Sequence, residues 1–108
     1  MPRRNEPDTL ALAVGQRIRE LRKAAGMTIQ DLADTSTIGS KGHLSNMERG
    51  LVRPNIHTLK QIADGLGVLP LDLVTFPDAD LRQRLVDLTR SLRRSRVAEL
   101  IRAVLARS

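Results

Sequence analysis

Residues 40–50 read SKGHLSNMERG, and the reading of that stretch decides the fold. It has the marks of one short helix. Ser40 is a good N-cap, because its hydroxyl can accept from a free N–H of the first turn. Leu44 and Met47 are three apart and share one face. Gly50 supplies a stop, since glycine takes the left-handed conformation cheaply. The opposite face shows Lys41, His43, Ser45 and Asn46, all hydrogen-bonding and none acidic. Such a helix, anchored by an apolar edge, suits insertion into a DNA major groove. It equally suits a solvated surface, so the flanking sequence has to decide.

Upstream, Leu10, Val14, Ile18 and Leu21 recur at fours and threes, which predicts an amphipathic helix starting near Asp8 or Thr9 and ending at Gly26. Arg17, Arg19, Glu20, Arg22 and Lys23 surround that stripe. Thr28 is placed to cap a second helix, with Asp31 in the capping-box position. Leu32 and Ala33 face inward, and residues 35–39 have turn composition. Downstream, Asn55 caps a helix with Leu59, Ile62, Ala63 and Leu66 as its buried stripe, ended by Gly65 and Gly67. Pro70 starts a short fifth helix carrying Leu71, Leu73 and Val74, and Phe76-Pro77 close the unit.

Residues 15–74 resemble the λ-repressor-like helix-turn-helix domain of the Cro/CI (XRE) type. The resemblance is carried by GQRIRELRKAAGMT, LAD, LSNMERG, RPN, TLKQIADGLGV and LDL, in that order. Two features depart from the pattern. Ile29 stands where the family usually has Gln, with Gln30 one later, and the turn before helix 3 is one residue longer. The resemblance implies base reading at positions 41, 42 and 46, backbone contacts from Arg53 and Asn55, and a buried Arg22–Glu48 ion pair between helices 1 and 3. Read by chemistry, Lys41 and His43 lie on the first turn of helix 3, within reach of base edges or phosphates. Asn46 can bond an adenine edge in two places, and Ser45 can serve base or phosphate. Gly42 lets the backbone approach. Thr28 to Gln30, at the start of helix 2, offer N–H groups to a phosphate.

Composition limits the alternatives. The 108 residues suit one domain plus an extension. The core must be aliphatic, because Phe76 is the only aromatic residue. Without cysteine there are no disulfides or thiolate metal sites. His43 and His57 are the only histidines and have no companion nucleophile or ligand cluster, so neither an enzyme nor a cofactor or metal is expected. No long apolar run or signal peptide is visible, which predicts a cytoplasmic protein with no membrane partner. The net charge of +6 and pI near 11.2 suit a polyanion. That charge is uneven: residues 1–77 carry 10 basic against 8 acidic groups, and residues 78–108 carry 8 against 4.

The predicted organisation is all-α. Residues 1–8 form an arm in which Arg3 and Arg4 either reach DNA or are an unstructured terminus. Residues 9–77 form the five-helix domain, and residues 78–108 a two-helix segment. In the last, Leu81, Leu85, Leu88 and Leu92 make a heptad seam. A helix capped by Ser95 follows, with Val97, Leu100, Ile101, Val104 and Leu105 as its stripe. The expectation is a hairpin that dimerises with a second copy; docking on the same domain is the other possibility. The surrounding arginines can attract DNA backbone or an acidic antagonist protein. The expected function is a homodimeric repressor of a near-palindromic operator in double-stranded DNA. A protein-binding module, such as an antitoxin bound to its toxin, is the alternative.

Overall fold

Seven α-helices and no strand occur among residues 8–108, which are the residues the computed structural model describes. Arg3 and Arg4 lie outside them. Helix α1 (Thr9–Ala24) begins at Asp8, whose carboxylate accepts from the N–H groups of Leu10 and Ala11. Arg22 and Lys23 fall in its last turn, where cations suit the helix dipole. α2 (Ile29–Thr35) opens with a reciprocal capping box: Thr28 Oγ1 accepts from Asp31 N, and Asp31 Oδ2 accepts from Thr28 N. An aspartate is thus long enough to close the box. α3 (Lys41–Glu48) follows Ser40, whose Oγ accepts from His43 N at 3.1 Å.

The turn between α2 and α3 passes through two left-handed residues, Thr37 (φ 61°) and Gly39 (φ 72°). A threonine there is strained, and neighbouring contacts hold it. Thr37 Oγ1 donates to Ser36 O and accepts from Gln61 Nε2 of α4. α4 (Ile56–Leu66) is capped by Asn55 and stopped by Gly67 in the left-handed region. Gly65 does not end this helix, as its composition suggested. It lies within α4 and lets that helix approach Ser36, where a Cβ would come within 2.9 Å of the Ser36 Cα. α5 is the single turn Pro70–Leu73, closed by Asp72 Oδ2 accepting from Leu69 N.

α1 to α5 enclose one aliphatic core in which Ile18, Leu32, Leu44, Met47, Ile62 and Leu73 are fully buried. Each such side chain contributes roughly 1.5–3 kcal/mol by leaving water. Leu10 and Leu59 depart from expectation: Leu10 is exposed and Leu59 half-buried. Both border a cleft of about 390 Å³ with Pro54 and Val74. Ala11 takes the core position instead.

Beyond the core come α6 (Leu81–Thr89), capped by Asp80, and α7 (Arg94–Arg107). Neither contains a buried residue. Two expectations fail here. Ser95 lies inside α7, which starts one residue earlier after Arg93 with no side-chain cap. The two helices also share no lengthwise packing and so do not form a hairpin. The division expected after Pro77 is bridged by hydrogen bonds, from Phe76 N to Gln83 Oε1 and from Arg17 Nη2 to Asp87 Oδ1.

Candidate nucleic-acid interface

α3 is held against α1 by its apolar edge, by the Arg22–Glu48 pair and by a close approach at Gly15. Leu44 and Met47 enter the core, as their spacing requires. Gly15 of α1 sits against the last turn of α3, where a Cβ would lie 2.3 Å from Met47 O and 2.6 Å from Glu48 O. Beside it, Glu48 turns inward and accepts two hydrogen bonds from Arg22, from Nε at 2.8 Å and from Nη2 at 3.0 Å. Both side chains are nine-tenths or more buried. Arg22 Nη1 also donates to Met27 O, tying the entry of α2 to the same point. One guanidinium therefore fixes α2 and α3 relative to α1. The planar fork of arginine is suited to this, because it can satisfy a carboxylate and a carbonyl at once.

The inward turn of Glu48 has an electrostatic consequence. It is the only carboxylate in α3, and it is neutralised inside the fold. Lys41, Gly42 and His43 are exposed, while Ser45 and Asn46 are half-buried. The outward face is therefore basic and polar with no acid of its own. Nothing lies within 4 Å of where a Gly42 Cβ would stand, so this glycine leaves space on the outer surface.

The four residues expected at phosphates all have partners within the chain. Thr28 differs most from expectation: its N–H is not free, because Asp31 holds it. The same bond, with that of the Thr28 hydroxyl, keeps the Asp31 carboxyl below the usual carboxylate range. Gln30 Nε2 donates to Asp34 Oδ1 at 2.9 Å. Asn55 uses its Oδ1 as the α4 cap and accepts from Thr58 N. Arg53 Nη2 lies 2.6 Å from Asp8 Oδ2, an exposed pair that a competing anion can replace at little cost. The Asp8 carboxyl is lowered too, first by the Ala11 N–H and then by Arg53.

The residues expected to dimerise are accessible. Leu81, Leu85, Leu88 and Leu92 of the seam are exposed, as are Leu100, Ile101, Val104 and Leu105; Val97 is half-buried. Sequence reasoning missed Arg17 and Gly15. By sequence Arg17 is one of the charged residues that surround the α1 stripe, with no role of its own, yet it is 2% exposed. Its position, three after Val14 and four before Leu21, puts it at the rim of the apolar face, which was the signal available. Gly15 also carried a signal: a glycine inside a helix costs about 1 kcal/mol relative to alanine, so close packing is a common reason for it. Among the described residues no group of three His, Cys, Asp or Glu side chains could hold a metal. No helix there is long and apolar enough to cross a membrane.

Comparison with known proteins bears on the same region. A family model described as helix-turn-helix matches residues 18–74 and leaves α6 and α7 outside. The chain is 37% identical over 59 residues to the HTH-type transcriptional regulator DdrOP3 of Deinococcus deserti, covering 55% of this chain and 45% of that protein. It is 35% identical over 57 residues to the immunity repressor protein of Bacillus phage phi105, covering 53% and 39%. The chain thus spans less than half the length of either relative. Among solved structures, it is similar to the crystal structure of the restriction-modification controller protein C.AhdI from Aeromonas hydrophila. That match has a TM-score of 0.59 and 29% identity, and covers 61% of this chain and 98% of the other.

Proposed function

The chain belongs to the helix-turn-helix family, and on that premise we propose that it is a cytoplasmic, sequence-specific regulator that binds double-stranded DNA as a homodimer. The observation that carries the reading is α3 itself, whose one acid is buried against Arg22 while Lys41, Gly42 and His43 stay exposed. A helix bolted to its domain and free of outward negative charge can enter a major groove without repelling the phosphates. Lys41, His43, Ser45 and Asn46 would meet base edges, with Gly42 permitting close approach. Arg53 would exchange Asp8 for a phosphate, and Gln30 and Asn55 would contact the same strand from the helix ends. Thr28 would act through the cap it gives α2.

Residues 9–77 would form the DNA-binding unit and residues 78–108 the dimerisation segment, through the exposed leucines of α6 and the stripe of α7. A two-fold pair would set its α3 helices about 34 Å apart, one turn of DNA, and read a near-palindrome. Repression is favoured because one relative is named an immunity repressor.

The test is selection of bound duplexes from a random pool, followed by Asn46→Ala. Specific binding is expected to weaken by about 1–3 kcal/mol, with non-specific binding nearly unchanged. An equal loss on specific and random duplexes would remove Asn46 from base readout. Failure to enrich any duplex would remove sequence-specific binding.

A further inference from the structure

α6 is attached to its own domain by its polar edge. Gln83 Oε1 accepts from Phe76 N at 2.7 Å, and Asp87 Oδ1 accepts from Arg17 Nη2 at 2.6 Å and from Arg90 Nε at 3.2 Å. Residues 83, 87 and 90 fall on one side of a helix. Arg17 is buried, and its Nε donates to Asp72 O of α5. Its guanidinium therefore stands at a fixed place in the core and gives α6 a directional anchor. The other edge of α6 carries Leu81, Leu85 and Leu88, exposed by 84%, 61% and 60%. A helix covering its own core would be turned the opposite way, leucines in and carboxylate out. Apolar contact sets this rotation only weakly, because Val86 is half-buried, no residue of α6 is fully buried, and hydrophobic attraction has no direction. A hydrogen bond to a buried guanidinium does have one.

We infer that Asp87, anchored by Arg17 and assisted by Gln83, is a positioning residue. It fixes the rotation of α6 so that the leucine edge faces a second copy of this chain, and thereby sets the distance between the two α3 helices. The inference rests on the homodimer proposed above. A rotation of α6 about its axis would move the leucine edge and carry the whole partner domain with it.

The chain has no cysteine, so one introduced at exposed Ala24 of α1 takes a single spin label. The distance between the two labels of a dimer then reports domain orientation. The protein carrying native Gln83 and Asp87 should give one narrow distance. Combining Gln83→Ala with Asp87→Ala should leave the dimer intact and broaden the distribution about two-fold or more, since the interface survives while its orientation is freed. Asp87→Glu, which restores a carboxylate, should narrow it again. Gln83→Ala alone leaves Arg17 paired and should give an intermediate width, which covers the case of a double variant that does not fold. A distribution as narrow in the double variant as in the native background overturns the inference, as does a double variant that folds but is monomeric. A monomeric native background at tens of micromolar defeats the homodimer reading itself, and the inference with it.

Discussion

α1 to α5 and α6 to α7 are built from similar amphipathic sequence but meet different fates. The first region closes its apolar stripes on one another and buries two arginines beside them. The second region, at least as rich in leucine for its length, has no fully buried residue in either helix. The difference lies in what each stripe faces. Five short helices at angles can enclose a volume, whereas two helices without lengthwise packing cannot. An amphipathic pattern states that a face needs cover; it does not state whether the cover comes from the same chain.

The sharpest break in that contrast is Glu48→Ala. It strands Arg22 in the core without a counter-charge, and removing one partner of a buried pair costs about 3–5 kcal/mol. Urea unfolding should show the loss, and an unchanged midpoint would mean that water reaches Arg22. Gly15→Ala comes next. Its Cβ would meet backbone oxygens of Met47 and Glu48, which cannot swing aside, so about 1–3 kcal/mol should be lost. Gly42→Ala meets nothing and should stabilise α3 by up to about 1 kcal/mol. If both alanines behaved alike, α1 and α3 would not touch at Gly15.

Acid should act on both regions more gently. Asp8, Asp31 and Asp80 are lowered chiefly by the N–H groups they cap, and Asp87 by Arg17. A lowered carboxyl stabilises the fold above its unfolded value, and the contribution is lost as pH falls through the folded value. Melting temperature should therefore be level above about pH 5 and decline below about pH 4. A decline beginning near neutrality would point to another group. Leu85→Glu should change folding least, by no more than about 0.5 kcal/mol, because the side chain is already exposed. Light scattering should nevertheless show a monomer. A stable dimer in that variant would move the interface away from the α6 leucines.

Much of the first region is legible in the chain itself. Ser40, Asn55, Asp80 and the Thr28–Asp31 box start helices because a short oxygen-bearing side chain can reach an N–H two or three residues on. Leu32, Leu44, Met47 and Ile62 are buried where their period places them. These are local matters of residue type and spacing, and sequence alone determined them, down to the outward polar face of α3. The buried Arg22–Glu48 pair was implied by the family resemblance, but tertiary structure alone decided that Arg17 is buried, where Gly15 and Gly65 allow close approach, and which way α6 is turned. Unlike Arg19, Arg17 stands three residues after Val14 and four before Leu21, at the edge of the apolar face, but that spacing names no partner for its charge. It is buried because Asp72 and Asp87, 55 and 70 residues away, arrive with acceptors for its N–H groups. A cation enters a core only where its partners converge, and that convergence is a property of the assembled fold.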